Sequence, residues 1–162
     1  LNSAKNFGGN LSDYTVWLLE RSMKTLFIRV REQTNNAKLL AKMLEGNSNI
    51  SRVYYPGLES HPSYLIAKNQ MKDFGAMMSF DLNENIDVYK FLKNLKVIKP
   101  GMSLAGVETT VNFPMKTSHG LLTQDERDNQ GIGNKLIRLS VGIESYKDLF
   151  NDLDQAIKNS LI

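Results

Sequence analysis

Apolar positions divide the chain into a helical opening and a longer stretch of mixed elements. Ser12-Asp13 supplies N-cap chemistry ahead of YTVWLLERSMKTL, with Asp13 at the positive end of the helix it starts. After Lys24-Thr25, positions Phe27, Val30, Thr34, Ala37, Ala41 and Leu44 recur at spacings of three and four, one stripe of an amphipathic helix. The stripe changes phase between Ser22 and Thr25, which predicts a bend there. Gly46-Asn47, two residues that tolerate positive φ, is expected to end the helix.

Beyond residue 47 short β-rich runs alternate with short helical ones. Ile50 to Tyr55 reads as a strand stopped by Pro56-Gly57. Ser60-His61-Pro62 reads as a cap and first-turn proline for a helix reaching about Met71. Phe74 to Leu82 reads as a strand, Ile86 to Leu95 as a helix, and Thr109 to Phe113 as another extended stretch beyond Pro100-Gly101. Thr123 to Glu126 forms a capping box before a short helix. Lys135 to Glu144 is a strand, and Ser145 caps a last helix with Leu149, Leu153, Ala156, Ile157 and Leu161 on one side. The pattern predicts an α+β fold, a mostly antiparallel sheet with helices on one face, preceded by a long lead-in helix. Residues 1–46 are expected to be lead-in helices and 47–162 a compact small domain.

Within KLIRLSVGIE, strand alternation puts Ile137, Leu139, Val141 and Ile143 toward the helices and Leu136, Arg138, Ser140 and Gly142 on the opposite side. Arg138 there presents a planar fork that matches a carboxylate bidentately. On spacing alone, an arginine on a solvated sheet face or in a structural ion pair accounts for it better. PGMSLAGVETT offers Ser103, Ala105 and Gly106, small residues that admit close approach of a ligand or another domain, although a plain turn between strands explains them better. Glu108 is a lone carboxylate. His61, beside Ser60 and Pro62, suits capping or packing, and His119 follows a polar loop; two isolated histidines make no metal site.

The 162 residues contain no cysteine, which excludes thiol nucleophiles, disulfides and cysteine-held zinc and agrees with a reducing compartment. Net charge is +3, with the cations spread along the chain and no interleaved aromatics, so nucleic acid is not an expected partner. No apolar run is long enough to span a membrane. The opening LNSAKNFGGN has no apolar core of a signal peptide and does not start with methionine, so it reads as a chain cut from something longer. No phosphate-cradling glycine loop or nucleophile elbow occurs.

Several segments, in order, resemble the C-terminal third of the pyridoxal-phosphate enzymes of cysteine and methionine metabolism. They are ERSMKTLFIRV, NAKLLAKMLE, RVYYPGLESHP, AKNQMKDFGAMMSFDL, MSLAGVETTVNFP, KTSHG and GIGNKLIRLSVGIESYKDLFNDLDQAI. The family includes cystathionine γ-synthases, cystathionine β- and γ-lyases and methionine γ-lyase. The resemblance implies the small domain of a fold-type I enzyme whose pyridoxal 5'-phosphate is held mainly by an upstream domain. The family's Schiff-base lysine lies in a Ser-x-Thr-Lys context, which these residues lack; Lys24 is not that lysine, and the chain alone is expected to be inactive. By position, Arg138 matches the arginine that clamps the substrate α-carboxylate, and Ser103 the serine beside it. Catalytic, cofactor-binding and metal residues are not expected here.

The implied activity is a cytoplasmic carbon–sulfur lyase acting on cystathionine or a related sulfur amino acid, assembled as a homo-oligomer, expected to be a tetramer. The alternatives are γ-replacement of the cystathionine γ-synthase type, a free-standing carboxylate-binding module, or an oligomerisation domain without catalysis. Two departures from the family pattern matter. Ala105 stands where many members have the first glycine of Ser-Leu-Gly-Gly, and Met102 where several γ-type members carry a glutamate.

Overall fold

The computed structural model describes residues 8–162. Helix α1, Asp13–Met23, starts at Ser12, whose hydroxyl accepts from Thr15 N–H at 3.3 Å. A turn at Lys24 and Thr25 separates it from α2, Leu26–Glu45, where the stripe changes phase. There follow β1 (Ile50–Tyr54), α3 (Tyr64–Gln70), β2 (Met77–Leu82), α4 (Val88–Asn94), β3 (Lys99–Pro100) and β4 (Thr110–Asn112). A short 3-10 turn at Pro114–Lys116, α5 (Gln124–Asn129), β5 (Leu136–Ser140) and α6 (Tyr146–Lys158) complete the described chain.

The sheet runs β1-β2-β5-β4-β3, antiparallel except for the parallel β3–β4 pair at one edge. Met78, Phe80 and Leu82, Ile137 and Leu139, and Val111 point to one side, where they meet Ala37, Leu40, Ala41 and Leu44 of α2, Phe91 of α4, and Leu149, Leu153, Ala156 and Ile157 of α6. Each large aliphatic chain buried there contributes roughly 1.5–3 kcal/mol. This is the α+β layering expected from the sequence.

The stripe of α2 is used only in its second half. Thr34, Ala37, Ala41 and Leu44 are buried, whereas Phe27 is 76% and Val30 46% exposed, because the first turns extend beyond the edge of the core. Helix α1 buries none of its residues. Gly46 closes α2 at φ −82°, in the right-handed region, and its N–H reaches the Lys42 carbonyl, so no positive φ is used.

Some local signals act differently from expectation. The helix after Pro62 starts at Tyr64, behind Ser63; Ser60 donates to the Glu45 carboxylate and caps nothing. His61 Nδ1 accepts from Ser63 N–H at 3.2 Å, a local capping role. The Ser145 hydroxyl makes no cap bond, and its carbonyl starts α6 by accepting from Asp148 and Leu149 N–H. Leu161 lies past the end of α6 in an isolated bridge with Ile86 and is half exposed. The Thr123–Glu126 box forms fully, and the backbone N–H and hydroxyl of Thr123 hold the Glu126 carboxyl below its ordinary range. At Gly57 a β-carbon would meet the Tyr55 ring at 2.6 Å and the Phe74 ring at 2.8 Å, which explains the glycine in that turn.

Candidate functional site

Cross-strand register decides where Arg138 points. Ile137 pairs with Phe80, and Leu139 with Met78 and Val111, all on the core side. Arg138, between them, pairs with Ser79 on β2 and Asn112 on β4, so it occupies the opposite face near the middle of the sheet, as the alternation predicts. It is half-buried and takes part in no ion pair among the described residues. Tyr54, paired with Ser79, extends the row; it donates to Asp81 at 2.7 Å, and its phenol is pushed up first by burial and then by that carboxylate.

The loop from β3 to β4 is laid over this face. Ala105 N–H donates to Ser140 Oγ at 3.1 Å, and Ser140 lies two residues along β5 from Arg138, a rise of roughly 7 Å. The Ser103 carbonyl accepts from the Thr110 hydroxyl at 3.0 Å, and Ser103 itself is exposed. The structure therefore brings the Ser103 loop to the Arg138 strand. His61 and His119 do not join them. His119 Nδ1 lies 2.8 Å from the Ser118 hydroxyl. Among the described residues no cluster of three or more potential metal ligands occurs.

Three side chains that sequence reasoning left unassigned hold this loop and the turn after β5. Gln33 donates to the Gly106 carbonyl at 2.6 Å, and Asn36 Nδ2 to the Gly142 and Glu144 carbonyls at 3.2 and 2.9 Å. The Glu144 carboxylate accepts from Thr109 N–H at 2.5 Å and its hydroxyl at 2.7 Å, and that hydroxyl accepts from Gly142 N–H at 2.8 Å. Asn112, also left unassigned, is 3% exposed. Gly142 allows the two backbones to touch, since a β-carbon there would sit 2.3 Å from the Val107 carbonyl oxygen. Ile143, expected toward the helices, is 40% exposed instead: β5 ends at Ser140, and Ile143 N–H turns to the Val107 carbonyl. A separate cleft of about 360 Å³, lined by Ser51, Asp81, Glu84, Asp128 and Lys135, contains neither Arg138 nor Ser103.

Ala105 adopts φ +58°, the only positive φ at a non-glycine position among the described residues. A β-carbon in that region costs roughly 1–2 kcal/mol. Ala105→Gly is therefore expected to raise stability by about 0.5–1 kcal/mol, after the greater entropy of glycine in the unfolded chain is deducted. A lower thermal midpoint for the variant would contradict this.

Residues 1–158 match the model of the Cys/Met metabolism PLP-dependent enzymes. The chain belongs to that family. It is 40% identical over 153 residues to a cystathionine beta-lyase of Lactococcus lactis subsp. cremoris (strain MG1363), an alignment covering 94% of this chain and 40% of the relative. It is 42% identical over 152 residues to an L-methionine gamma-lyase of Fusobacterium nucleatum subsp. polymorphum, covering 93% and 38%. Among solved structures, a cystathionine gamma-lyase from Lactobacillus plantarum complexed with L-serine superposes with a TM-score of 0.89 at 37% identity, covering 95% of this chain and 40% of that one. A cystathionine gamma synthase from Xanthomonas oryzae pv. oryzae in complex with cystathionine gives 0.85 at 38% identity, covering 91% and 38%. The chain thus spans about 40% of the length of these relatives of the Cys/Met metabolism family.

Proposed function

We propose that this chain is the substrate-clamping small domain of a pyridoxal-phosphate-dependent trans-sulfuration enzyme, a carbon–sulfur lyase acting on cystathionine or a related sulfur amino acid. The observation that carries the reading is the unpaired, half-buried Arg138 guanidinium under the Ser103 loop. A partly desolvated charge without a counterion is costly, and an α-carboxylate bound through two parallel N–H···O bonds would offset that cost. We assign Ser103, on the loop that Ala105 ties to Ser140, a hydroxyl contact to the same carboxylate. Residues 47–162 form the small domain, and residues 1–46 join it to a cofactor-binding segment elsewhere in the polypeptide.

The donors along this row, a guanidinium and hydroxyls, fit an amino-acid carboxylate; none is an amine able to form an imine with an aldehyde. The row therefore does not suit the reactive end of pyridoxal phosphate, and we assign the cofactor to the other part of the enzyme. The part played by this chain is orientation: a carboxylate held by a rigid fork has its Cα bonds fixed in space. A γ-replacement activity would use the same clamp, and the 40% identity to cystathionine gamma-synthase 1 of Arabidopsis thaliana favours keeping that second reading. Met102, 65% exposed, offers no carboxylate to a distal ammonium, so sulfur amino acids without one fall within the range.

The test uses the full-length gene product. A yellow protein that releases thiol from cystathionine or methionine supports the proposal. A colourless protein that neither releases thiol nor binds an amino acid would overturn it. We place the enzyme in the cytoplasm as a homotetramer. Trp17, Leu19, Met23 and Phe27 are all more than half exposed, and the 162-residue chain by itself is expected to self-associate. Light scattering that returned only the 18.3 kDa monomer at high concentration would count against this.

A further inference from the structure

We propose that Asn112 is a positioning residue for Arg138: its carboxamide oxygen accepts a hydrogen bond from the Arg138 Nε–H and aims the guanidinium. The proposal rests on the reading of Arg138 as the carboxylate clamp. Asn112 is the β4 partner of Arg138 on the same face of the sheet, and such opposed residues have β-carbons roughly 4.5–5.5 Å apart. It is 3% exposed, and its Nδ2 is buried with no partner. Buried polar atoms are nearly always bonded, so the orphan needs an account.

The hydroxyl of Thr117 provides one. It lies within bonding distance of both Asn112 Oδ1 and, at 2.9 Å, the Phe113 carbonyl, yet it has a single proton to donate. With that proton given to Phe113, the hydroxyl becomes an acceptor toward Asn112. The carboxamide then turns its NH2 to Thr117 and leaves Oδ1, an acceptor, at the orphaned position. The unpaired group in the same row is the Arg138 guanidinium, which carries donors only. Thr110, also on this face, has its hydroxyl on the Ser103 carbonyl. Asparagine is a short side chain, and across a strand pair it reaches Nε rather than the terminal nitrogens. Both Nη groups are thereby left for a substrate carboxylate.

The experiment takes the full-length enzyme with pyridoxal phosphate and compares Asn112→Leu, Asn112→Ser and Arg138→Ala. Each is measured for KM and kcat on the sulfur amino acid and for inhibition by the corresponding amine lacking the carboxylate. Both Asn112 variants are expected to raise KM about tenfold, with kcat within about threefold and the amine's inhibition unchanged. In the Arg138→Ala background they should add nothing. If Arg138→Ala leaves KM unaltered, the clamp reading has failed and this proposal falls with it. If Arg138→Ala impairs binding while both Asn112 variants are silent, or weaken the amine equally, Asn112 has only a structural role and the proposal alone is overturned.

Discussion

Arg138→Ala in the full-length enzyme should lower kcat/KM for the amino-acid substrate by about a hundred- to a few-thousand-fold, or about 3–5 kcal/mol. The size follows from where the side chain sits. Arg138 stands mid-sheet between Ser79 and Asn112, half-buried and without an ion pair among the described residues, so the charge is already partly stripped of water when a carboxylate arrives. Arg138→Lys keeps the charge but loses the planar fork, and should recover only part of the loss. Thermal stability discriminates between the two accounts of this residue. A structural ion pair would be broken by the alanine, lowering the midpoint strongly; a clamp awaiting its ligand loses no counterion, and the unliganded protein gives up only the hydrogen bond to Asn112, about 1 kcal/mol. A change in kcat/KM below tenfold would end the clamp reading.

The face that Arg138 occupies was legible because strand alternation has only two phases, and Ile137 and Leu139 choose between them. Ile143 follows the same parity and still turns out exposed, since the ladder ends at Ser140 and a loop bond to Val107 takes over. Phe27 and Val30 continue a real stripe past the point where the core stops, and periodicity carries no information about where a partner ends. Buried polar residues were the harder case. Asn36 bonds to carbonyls 106 and 108 residues away, a distance over which local pattern is silent. A clue did exist: Gln33 precedes Ala37, Leu40 and Leu44 by steps of four, three and four, which puts a polar side chain on the core-facing line. The strand placed Arg138 without help, but Ser103 stood out only through family resemblance, because a serine in a small-residue loop has no pattern of its own.

Asp152 has the same anomaly and the other large expected effect. It sits one turn after Leu149 on the buried side of α6 and is 4% exposed. Its carboxylate accepts from three successive backbone N–H groups, Lys96 at 2.8 Å, Val97 at 2.9 Å and Ile98 at 2.8 Å. Those groups follow the end of α4 and lead directly into β3, from which the Ser103 loop departs. Asp152→Ala removes the side chain that bonds all three, in a segment where Ile98 is fully buried. Bonds to a charged acceptor are worth roughly 1.5–3 kcal/mol each net of exchange with water; because the three share one carboxylate whose own desolvation offsets part of their sum, about 3–4 kcal/mol of stability should be lost. Asp152→Asn should recover little, because its NH2 would confront donors. The readout is the urea midpoint of the chain followed by far-ultraviolet ellipticity, with the slope unchanged. A wild-type midpoint in Asp152→Ala would mean that water serves these amides as well as the carboxylate does. The β3 edge would then be held by Pro100 and the Gly101–Val111 hydrogen bond rather than from α6.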